Sequence, residues 1–217
     1  MACCSHCAAK THFDAKTAEG DLRRYTRRGA DAVTKLMLSE LRQRPMQGRD
    51  LLDVGAGIGV ISAELAQSGV IKATVVEASP AYLDVARQEA RGHYREGFTD
   101  FVLGDFAMIA ATLPDADVVT LGRVVCCYPD AATLLDGAAA RTRRLLAFTY
   151  PRYRWYVRAV TQLRNFWRRL TGSAFRTYVH VPARMARVLE SAGLIRVVQK
   201  GTPVWMLDVY ERAQNKD

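Results

Sequence analysis

The sequence predicts an α/β fold in which helices cover both faces of a mostly parallel β-sheet. Short apolar runs alternate along the chain with segments of helical periodicity, which is the first basis for this prediction. The second is the segment 51–62, where the apolar run Leu51–Val54 leads into three glycines at alternate positions and then into helix-forming residues. That order predicts a buried strand that turns sharply into a helix.

The composition limits the size and the class of the protein. A chain of 217 residues with 49% hydrophobic residues fits one globular domain with a substantial core. The 31 Lys and Arg outnumber the 22 Asp and Glu and give a formal net charge of +9. This excess indicates an anionic partner, which can be an acidic substrate, a membrane surface or a nucleic acid.

Location and cysteine usage point to a reduced, cytoplasmic protein. No segment approaches the ~20 apolar residues that a membrane-spanning helix needs. Residues 1–10 lack the apolar stretch of a signal peptide, so we expect a cytoplasmic location. Five cysteines, an odd number, do not fit a disulfide framework, and we expect reduced thiols.

The chain divides into a tail, residues 1–19, and one domain, residues 20–217, that carries a helical insert at 151–180. Within the tail, Cys4 and Cys7 have the spacing of half a zinc site, but no second Cys-x-x-Cys follows. Two interpretations stay open. The segment is a flexible, exposed tail, or its cysteines have a metal, redox or thiol-substrate role.

The glycine run indicates the cofactor. Glycine permits left-handed backbone angles and lets a ligand approach the main-chain N–H groups. A dinucleotide motif G-x-G-x-x-G would place its third glycine at position 60, where the chain has Val60. The observed pattern, Asp53-x-Gly55-x-Gly57-x-Gly59, resembles the first motif of the class I S-adenosylmethionine-dependent methyltransferases. That resemblance implies a Rossmann-like domain with a seven-stranded sheet, mostly parallel with an antiparallel edge strand.

Two further acids follow predicted strands. Glu77 ends the apolar run 73–77 and comes twenty-four residues after Asp53, close to the ~20-residue offset of a ribose-binding carboxylate. The resemblance implies that Asp105 accepts from the adenine amino group and that the Phe106 N–H reaches a ring nitrogen. The expected ligands of S-adenosylmethionine are Asp53, Gly55, Ala56, Gly57, Gly59, Glu77, Ala78, Asp105, Phe106 and Arg123.

The loop after the fourth predicted strand, 115–121, is expected to face the transferable methyl group. Ligands of parallel α/β sheets lie outside the carboxyl ends of the strands, and this loop follows such an end. Tyr and His in such places often serve only as satisfied hydrogen-bond partners, which is the alternative for each candidate. The candidate catalytic residues are Tyr25, Arg123, Cys127, Tyr128 and His180.

Three features are similar to the magnesium-protoporphyrin O-methyltransferase group. They are Tyr128-Pro129 after the fourth strand, the long insert after the fifth strand at 145–150, and Tyr178-Val179-His180 before the last helix. The chain departs from that group at Cys127, where its members tend to have His. A thiol replaces a histidine poorly unless its pKa is lowered.

The segment 151–170 is basic and amphipathic. It carries six arginines, with apolar residues recurring at helical spacing from Trp155 to Leu170. Such a helix can make peripheral contact with an anionic membrane. Alternatively, it covers the substrate pocket and its arginines are solvated.

Together these features predict an S-adenosylmethionine-dependent methyltransferase that acts on a small molecule by O-methylation of an anionic or hydrophobic acceptor. A carboxylate acceptor is already ionised at neutral pH and needs no base. One alternative is a thiol or metalloid acceptor near Cys126 and Cys127, joined by Cys3, Cys4 or Cys7. A nucleic-acid methyltransferase is disfavoured, since the Asn/Asp-Pro-Pro-aromatic sequence is missing after the fourth strand. Retention of Asp53, Glu77 and Asp105 argues against a non-catalytic module.

Overall fold

The computed structural model describes residues 12–93 and 97–213. Strands and helices alternate along most of this length, as the sequence predicts. The elements in chain order are α1 (Ala15–Arg28), α2 (Ala32–Arg42), β1 (Asp50–Val54), α3 (Val60–Ala66), β2 (Lys72–Glu77), α4 (Pro80–His93), β3 (Thr99–Leu103), α5 (Phe106–Ile109), β4 (Ala116–Leu121), α6 (Ala131–Arg141), β5 (Thr142–Pro151), α7 (Trp155–Leu170), α8 (Pro182–Ser191), β6 (Leu194–Gly201) and β7 (Trp205–Arg212).

The seven strands form one sheet in the order β3-β2-β1-β4-β5-β7-β6. Strands β1 to β5 pair with one another in parallel. Strand β7 runs antiparallel to both of its neighbours, β5 and β6. The prediction of a mostly parallel seven-stranded sheet is confirmed. The antiparallel strand, β7, lies one position in from the edge, and the predicted hairpin with β6 forms that end of the sheet.

Each face of the sheet packs against its own helices, because successive strand side chains point to opposite faces. Leu52 and Val54 belong to the core beneath α6 and α8. Leu51 belongs to the core beneath α2 and α3. A smaller cluster joins Ala18 of α1 to Tyr82 of α4. This packing confirms helices on both faces of the sheet.

The first helix, α1, begins before residue 20, the expected domain boundary. Asp14 caps α1 by accepting from the Thr17 N–H at 2.9 Å, so helical structure starts at Ala15 rather than at residue 20. Phe13 also packs in the fold, with its ring 5.6 Å from Tyr82. The segment expected to be a tail is therefore structured from residue 12. Cys3, Cys4 and Cys7 lie outside the described residues.

The insert consists of one long helix and an irregular return. Strand β5 continues to Pro151, and α7 begins at Trp155. Residues 171–181 then lead back to α8 without regular secondary structure. Within the described ranges, no helix has the length and apolar character that a membrane span requires.

We expect the Phe148→Ala variant to lose about 3–5 kcal/mol of unfolding free energy, the usual cost of a large cavity in a core. Phe148 is 0% exposed and stacks against Tyr150 and Tyr210 at centroid distances of 5.6 and 6.0 Å. Urea denaturation measures the change. The matched control, Met108→Ala, alters a side chain that is 82% exposed and should change stability by less than about 0.5 kcal/mol.

Candidate active site

A cleft of about 400 Å³ lies at the carboxyl ends of β1 to β4. Its floor is formed by the loops that follow these strands, and α1, α2 and α7 contribute its walls. The volume is in the range of small-molecule sites, ~300–1,000 Å³. A second groove, between α1, α3 and α4, touches the glycine loop at Gly59 and lacks the other strand-end loops. The first cleft is therefore the candidate active site.

The turn between β1 and α3 requires glycine. Gly55, Gly57 and Gly59 have φ angles of 59°, 61° and 83°, in the left-handed region. A Cβ on Gly55 would also overlap the side chain of Val124. Gly55 and Gly57 line the cleft with Ala56, whereas Gly59 lies at the start of α3 and faces the second groove.

Glu77 is held rigidly at the cleft wall by main-chain donors. Its Oε2 accepts from the Gly57 N–H and its Oε1 from the Ser79 N–H, each at 2.9 Å. Burial raises the pKa of Glu77, and these hydrogen bonds oppose that rise. Each carboxylate oxygen keeps a second lone pair, so the side chain can still accept from a ligand.

Asp105 and Tyr128 form a pair on the opposite wall. Asp105 Oδ1 accepts from the Ala107 N–H at 3.1 Å, which caps α5, and from the Tyr128 hydroxyl at 2.6 Å. Both bonds use the same oxygen, which leaves Oδ2 for a ligand. Burial and the neighbouring Asp105 raise the pKa of Tyr128. Tyr128 is therefore a neutral donor that positions Asp105, not a base.

Asp53 does not reach the cleft. It is 0% exposed beneath the glycine turn, and Thr120 Oγ1 donates to its Oδ1 at 2.7 Å. Its Oδ2 has no hydrogen-bond partner among the described residues. Burial raises the pKa of Asp53 to about 7. Asp53 lies outside the cleft lining, because alternation along β1 places its side chain, like that of Leu51, on the face covered by α2 and α3.

Arg123 is anchored by three separate elements. Its backbone has a φ of 62°, which is unusual for a residue other than glycine. Its backbone N–H donates to Thr149 Oγ1 at 2.8 Å. Its guanidinium pairs with Asp31 at 3.0 Å and lies 5.2 Å from the ring centroid of Trp205. Asp31 and Trp205 are cleft residues that the sequence reasoning missed.

The vicinal thiols of Cys126 and Cys127 also line the cleft. Their sulfur atoms are 3.9 Å apart. Hydrogen bonding to the Cys127 thiol lowers the pKa of Cys126. Within the described residues, no group of three or more His, Cys, Asp or Glu is arranged to hold a metal.

Tyr25 and His180, the remaining two candidate catalytic residues, form hydrogen bonds within the protein. Tyr25 lines the cleft, but its hydroxyl donates to Glu64 Oε1 at 3.0 Å, and burial raises its pKa to about 12. His180 lies behind the loop instead of on the cleft, with its Nε2 within 3.2 Å of the Val125 carbonyl and 3.0 Å of the Tyr128 carbonyl. Two carbonyl acceptors require a proton on Nε2, so His180 holds the loop in place.

Two arginines of α7 complete the cleft. Arg164 and Arg168 are four residues apart and face the cleft on the same side of the helix. Arg168 donates to Thr177 Oγ1 at 2.8 Å and lies 5.0 Å from the Phe175 ring centroid. Burial and the charge of Arg164 lower the pKa of Arg168. Neither guanidinium has a carboxylate partner among the described residues.

The pattern of α7 contains a signal for these two residues. Buried Val157 precedes Arg164 by seven residues, and Arg168 follows four later, which puts all three on one helix face. The sequence reasoning treated the arginines of the insert as one group and did not separate this face.

Comparison with known proteins agrees with this geometry. Residues 22–115, from α1 to the end of the loop before β4, match a family model described as methyltransferase small domain. No curated protein matches the chain in sequence. Solved structures of methyltransferases, however, superpose over most of its length.

The chain has the fold of the class I S-adenosylmethionine-dependent methyltransferases.

Three solved structures illustrate this likeness. Magnesium protoporphyrin IX methyltransferase from Synechocystis, with bound SAH, has a TM-score of 0.76 and 17% identity over 96% of this chain and 100% of its own. An O-methyltransferase family protein from Burkholderia thailandensis has a TM-score of 0.71 and 17% identity. The match covers 96% of this chain and 64% of that one. A putative methyltransferase from Haloferax volcanii, in complex with the Trm112 activator, has a TM-score of 0.71 and 15% identity. The match covers 96% of this chain and 99% of that one. These identities establish the shared fold.

The residues of the cleft suit an adenosine-containing ligand. The glycine cradle leaves main-chain atoms open to a ligand, and acidic side chains follow β2 and β3. These are the features that hold an adenosine moiety in folds of this type. The residues of the cleft are therefore compatible with S-adenosylmethionine as a ligand.

We expect the Asp53→Asn variant to flatten the pH dependence of stability. With a pKa of about 7, the folded chain holds this proton more tightly than an unfolded Asp with a pKa of ~3.9. The wild type should therefore lose stability as pH rises from about 4 to about 7, and the variant should lack that contribution. Urea denaturation at about pH 5 and pH 8 measures it, with Asp50→Asn on the same strand as the control. Parallel profiles for wild type and Asp53→Asn would contradict the assignment.

Proposed function

We propose that this protein is an S-adenosylmethionine-dependent methyltransferase that O-methylates a small anionic acceptor, with a carboxylate oxygen as the receiving atom. The observation that carries the proposal is the pair Arg164 and Arg168, two neighbouring guanidinium groups over the cleft without an acidic partner among the described residues. Guanidinium groups bind carboxylates through two parallel hydrogen bonds. The Phe175 ring packs under the Arg168 guanidinium at the edge of the cleft and holds it in place.

The donor-binding residues are proposed from the same cleft. Glu77 would accept from the two ribose hydroxyls, Asp105 Oδ2 from the adenine amino group, and the Phe106 N–H would donate to the ring. Gly55, Ala56, Gly57 and Ala78 would contact the ligand through their main chain, and Arg123 closes one side of the cleft. When bound, S-adenosylmethionine supplies a methyl group on a positively charged sulfur. Asp53 and Gly59 shape the turn from below.

Of the predicted catalytic residues, Tyr25, Tyr128 and His180 are not arranged as general bases. Raised pKa values keep Tyr25 and Tyr128 protonated, and His180 is engaged behind the loop. A carboxylate, with a reference pKa of ~4, arrives ionised and needs no base. The contribution of the protein is then alignment of the acceptor, which can supply ~7–11 kcal/mol.

The Arg164→Gln and Arg168→Gln variants test the acceptor site. A panel of small carboxylic acids with radiolabelled methyl donor first identifies the best acceptor. Each substitution should then raise KM for that acid about tenfold or more, because a charged hydrogen bond contributes ~1.5–3 kcal/mol. We expect kcat to fall by less than about threefold, since methyl transfer neutralises the carboxylate and the ion pair is therefore no stronger in the transition state than in the ground state.

The control for this test is Arg158→Gln. Arg158 belongs to the same helix but packs over Tyr153 and does not line the cleft. Its KM should equal that of the wild type. An unchanged KM in the Arg164→Gln/Arg168→Gln double variant would overturn the proposed acceptor site.

A second acceptor class is favoured by the vicinal thiols. Cys126 and Cys127 line the cleft, with their sulfur atoms 3.9 Å apart. Thiolates bind soft ions, so the pair would suit a thiol-reactive metalloid as acceptor. For a carboxylate acceptor, in contrast, the thiols have no chemical task.

The Cys126→Ser/Cys127→Ser variant separates these acceptor classes. If a carboxylate is the acceptor, the variant should keep its kcat/KM within about threefold of wild type, because no thiol takes part. Methyl transfer to the carboxylic acid panel and to arsenite is measured in parallel. Transfer to arsenite by the wild type, abolished in the variant, would replace the carboxylate with a metalloid acceptor.

A further inference from the structure

The outward face of α7 is strongly apolar. Seven large apolar side chains of this helix are exposed, with fractions between 36% and 79%. They are Trp155, Tyr156, Val160, Leu163, Phe166, Trp167 and Leu170. At 100° per residue these positions fall within one continuous side of the helix, opposite the inward side that carries buried Val157. We refer to these seven residues as the α7 face.

Exposure on this scale needs an explanation. Single exposed apolar residues are normal on a protein surface, whereas a contiguous patch with four aromatic side chains and three large aliphatic side chains marks an interaction site. Apart from the Tyr156 hydroxyl, which donates to the Pro203 carbonyl, these side chains are open to solvent among the described residues. The α7 face is not the side by which the helix packs against the domain. That side is the opposite one, which carries buried Val157 and the cleft-lining Arg164 and Arg168.

The charge around the α7 face identifies the partner. Between residues 151 and 189 the chain has nine arginines and no Asp or Glu. Four of these arginines belong to α7 itself, and Arg152 and Arg154 precede it at once. A surface without acidic residues, next to an apolar stripe, complements a layer that is apolar inside and anionic at its edge.

We propose that the α7 face docks this protein on the surface of a bilayer that contains anionic lipids. The helix would lie parallel to the membrane plane, with its aromatic and aliphatic side chains at the level of the acyl-chain boundary and its arginines at the phosphate groups. Nucleic acid also attracts arginine, but the aliphatic side chains Val160, Leu163 and Leu170 offer it no stacking surface.

The two sides of α7 connect the bilayer to the cleft. Arg164 and Arg168, on the inward side, line the candidate active site, while the α7 face points outward from the same helix. Docking therefore brings the cleft mouth next to the lipid surface. This consequence rests on the proposed function, since it implies an amphiphilic acid as acceptor. Docking itself rests on the surface of α7 alone.

Vesicle binding of the full chain tests the proposal. Flotation with vesicles of phosphatidylcholine containing phosphatidylglycerol should recover the wild type in the lipid fraction, and pure phosphatidylcholine should recover much less. The Leu163→Ser/Phe166→Ser/Trp167→Ser variant should bind the anionic vesicles at least about tenfold more weakly, since the apolar area buried in lipid falls. Its control, Met108→Ser/Ile195→Ser, alters side chains that are 82% and 58% exposed elsewhere and should bind like wild type.

Tryptophan quenching locates the contact independently. Two of the three tryptophans, Trp155 and Trp167, belong to the α7 face, while Trp205 lies at the cleft beside Arg123. Anionic vesicles with brominated acyl chains should quench wild-type fluorescence and leave the Trp155→Phe/Trp167→Phe variant, whose remaining tryptophan is Trp205, unquenched.

Three results would overturn docking. They are recovery of the wild type outside the lipid fraction, equal binding by the triple-serine and wild-type proteins, and tight binding to oligonucleotides that outcompetes the vesicles. Methyl transfer to a water-soluble carboxylic acid, measured without vesicles, should be the same in the triple-serine variant and the wild type. A loss there would reflect the active site, which distinguishes failure of the proposed function from failure of docking.

Discussion

The turn between β1 and α3 has no space for a side chain, because a Cβ on Gly55 would overlap Val124 in the loop after β4. The same crowding recurs at two other strand ends, where a Cβ on Gly104 would lie 2.7 Å from Ile109 and one on Gly122 2.6 Å from Ile61. The loops at the carboxyl edge of the sheet are thus packed against one another through glycine. This packing sets the floor of the cleft and the position of every donor-binding candidate.

Hydrogen bonds between these loops turn the floor into a rigid frame. Glu77 joins the end of β2 to the glycine turn, Tyr128 joins the loop after β4 to Asp105, and His180 fixes that loop from behind. Tyrosines and a histidine that resemble catalytic bases are consequently structural, and the cleft offers alignment and charge. Above the frame, α7 supplies the charge on its inward side and an apolar surface on its outward side. Acceptor binding and membrane docking are in this way assigned to opposite sides of one helix.

The sequence predicted what local pattern controls. Apolar runs and turn residues located the strands, the hairpin and the glycine turn, because each depends on residues close in sequence. It did not predict Trp205 in the cleft, since the N-terminal end of antiparallel β7 reaches the carboxyl edge only through pairing with Pro151. It also did not predict that Asp53 is buried under the turn or that His180 bonds two carbonyls, because such partners are set by tertiary contacts. Helical spacing does predict that Arg164 and Arg168 lie on the inward side of α7, but only when Val157 is known to be buried.

The chemical form of the product tests the central claim, a carboxylate acceptor in an arginine-lined methyltransferase cleft, most directly. The wild-type protein is incubated with radiolabelled S-adenosylmethionine and the best acceptor of the acid panel, and the product is treated with mild alkali. A methyl ester releases its label as volatile methanol, which is the result that the account predicts, and the amide analogue of the same acid should take up no label. Label that resists alkali, or equal labelling of the amide, would contradict it.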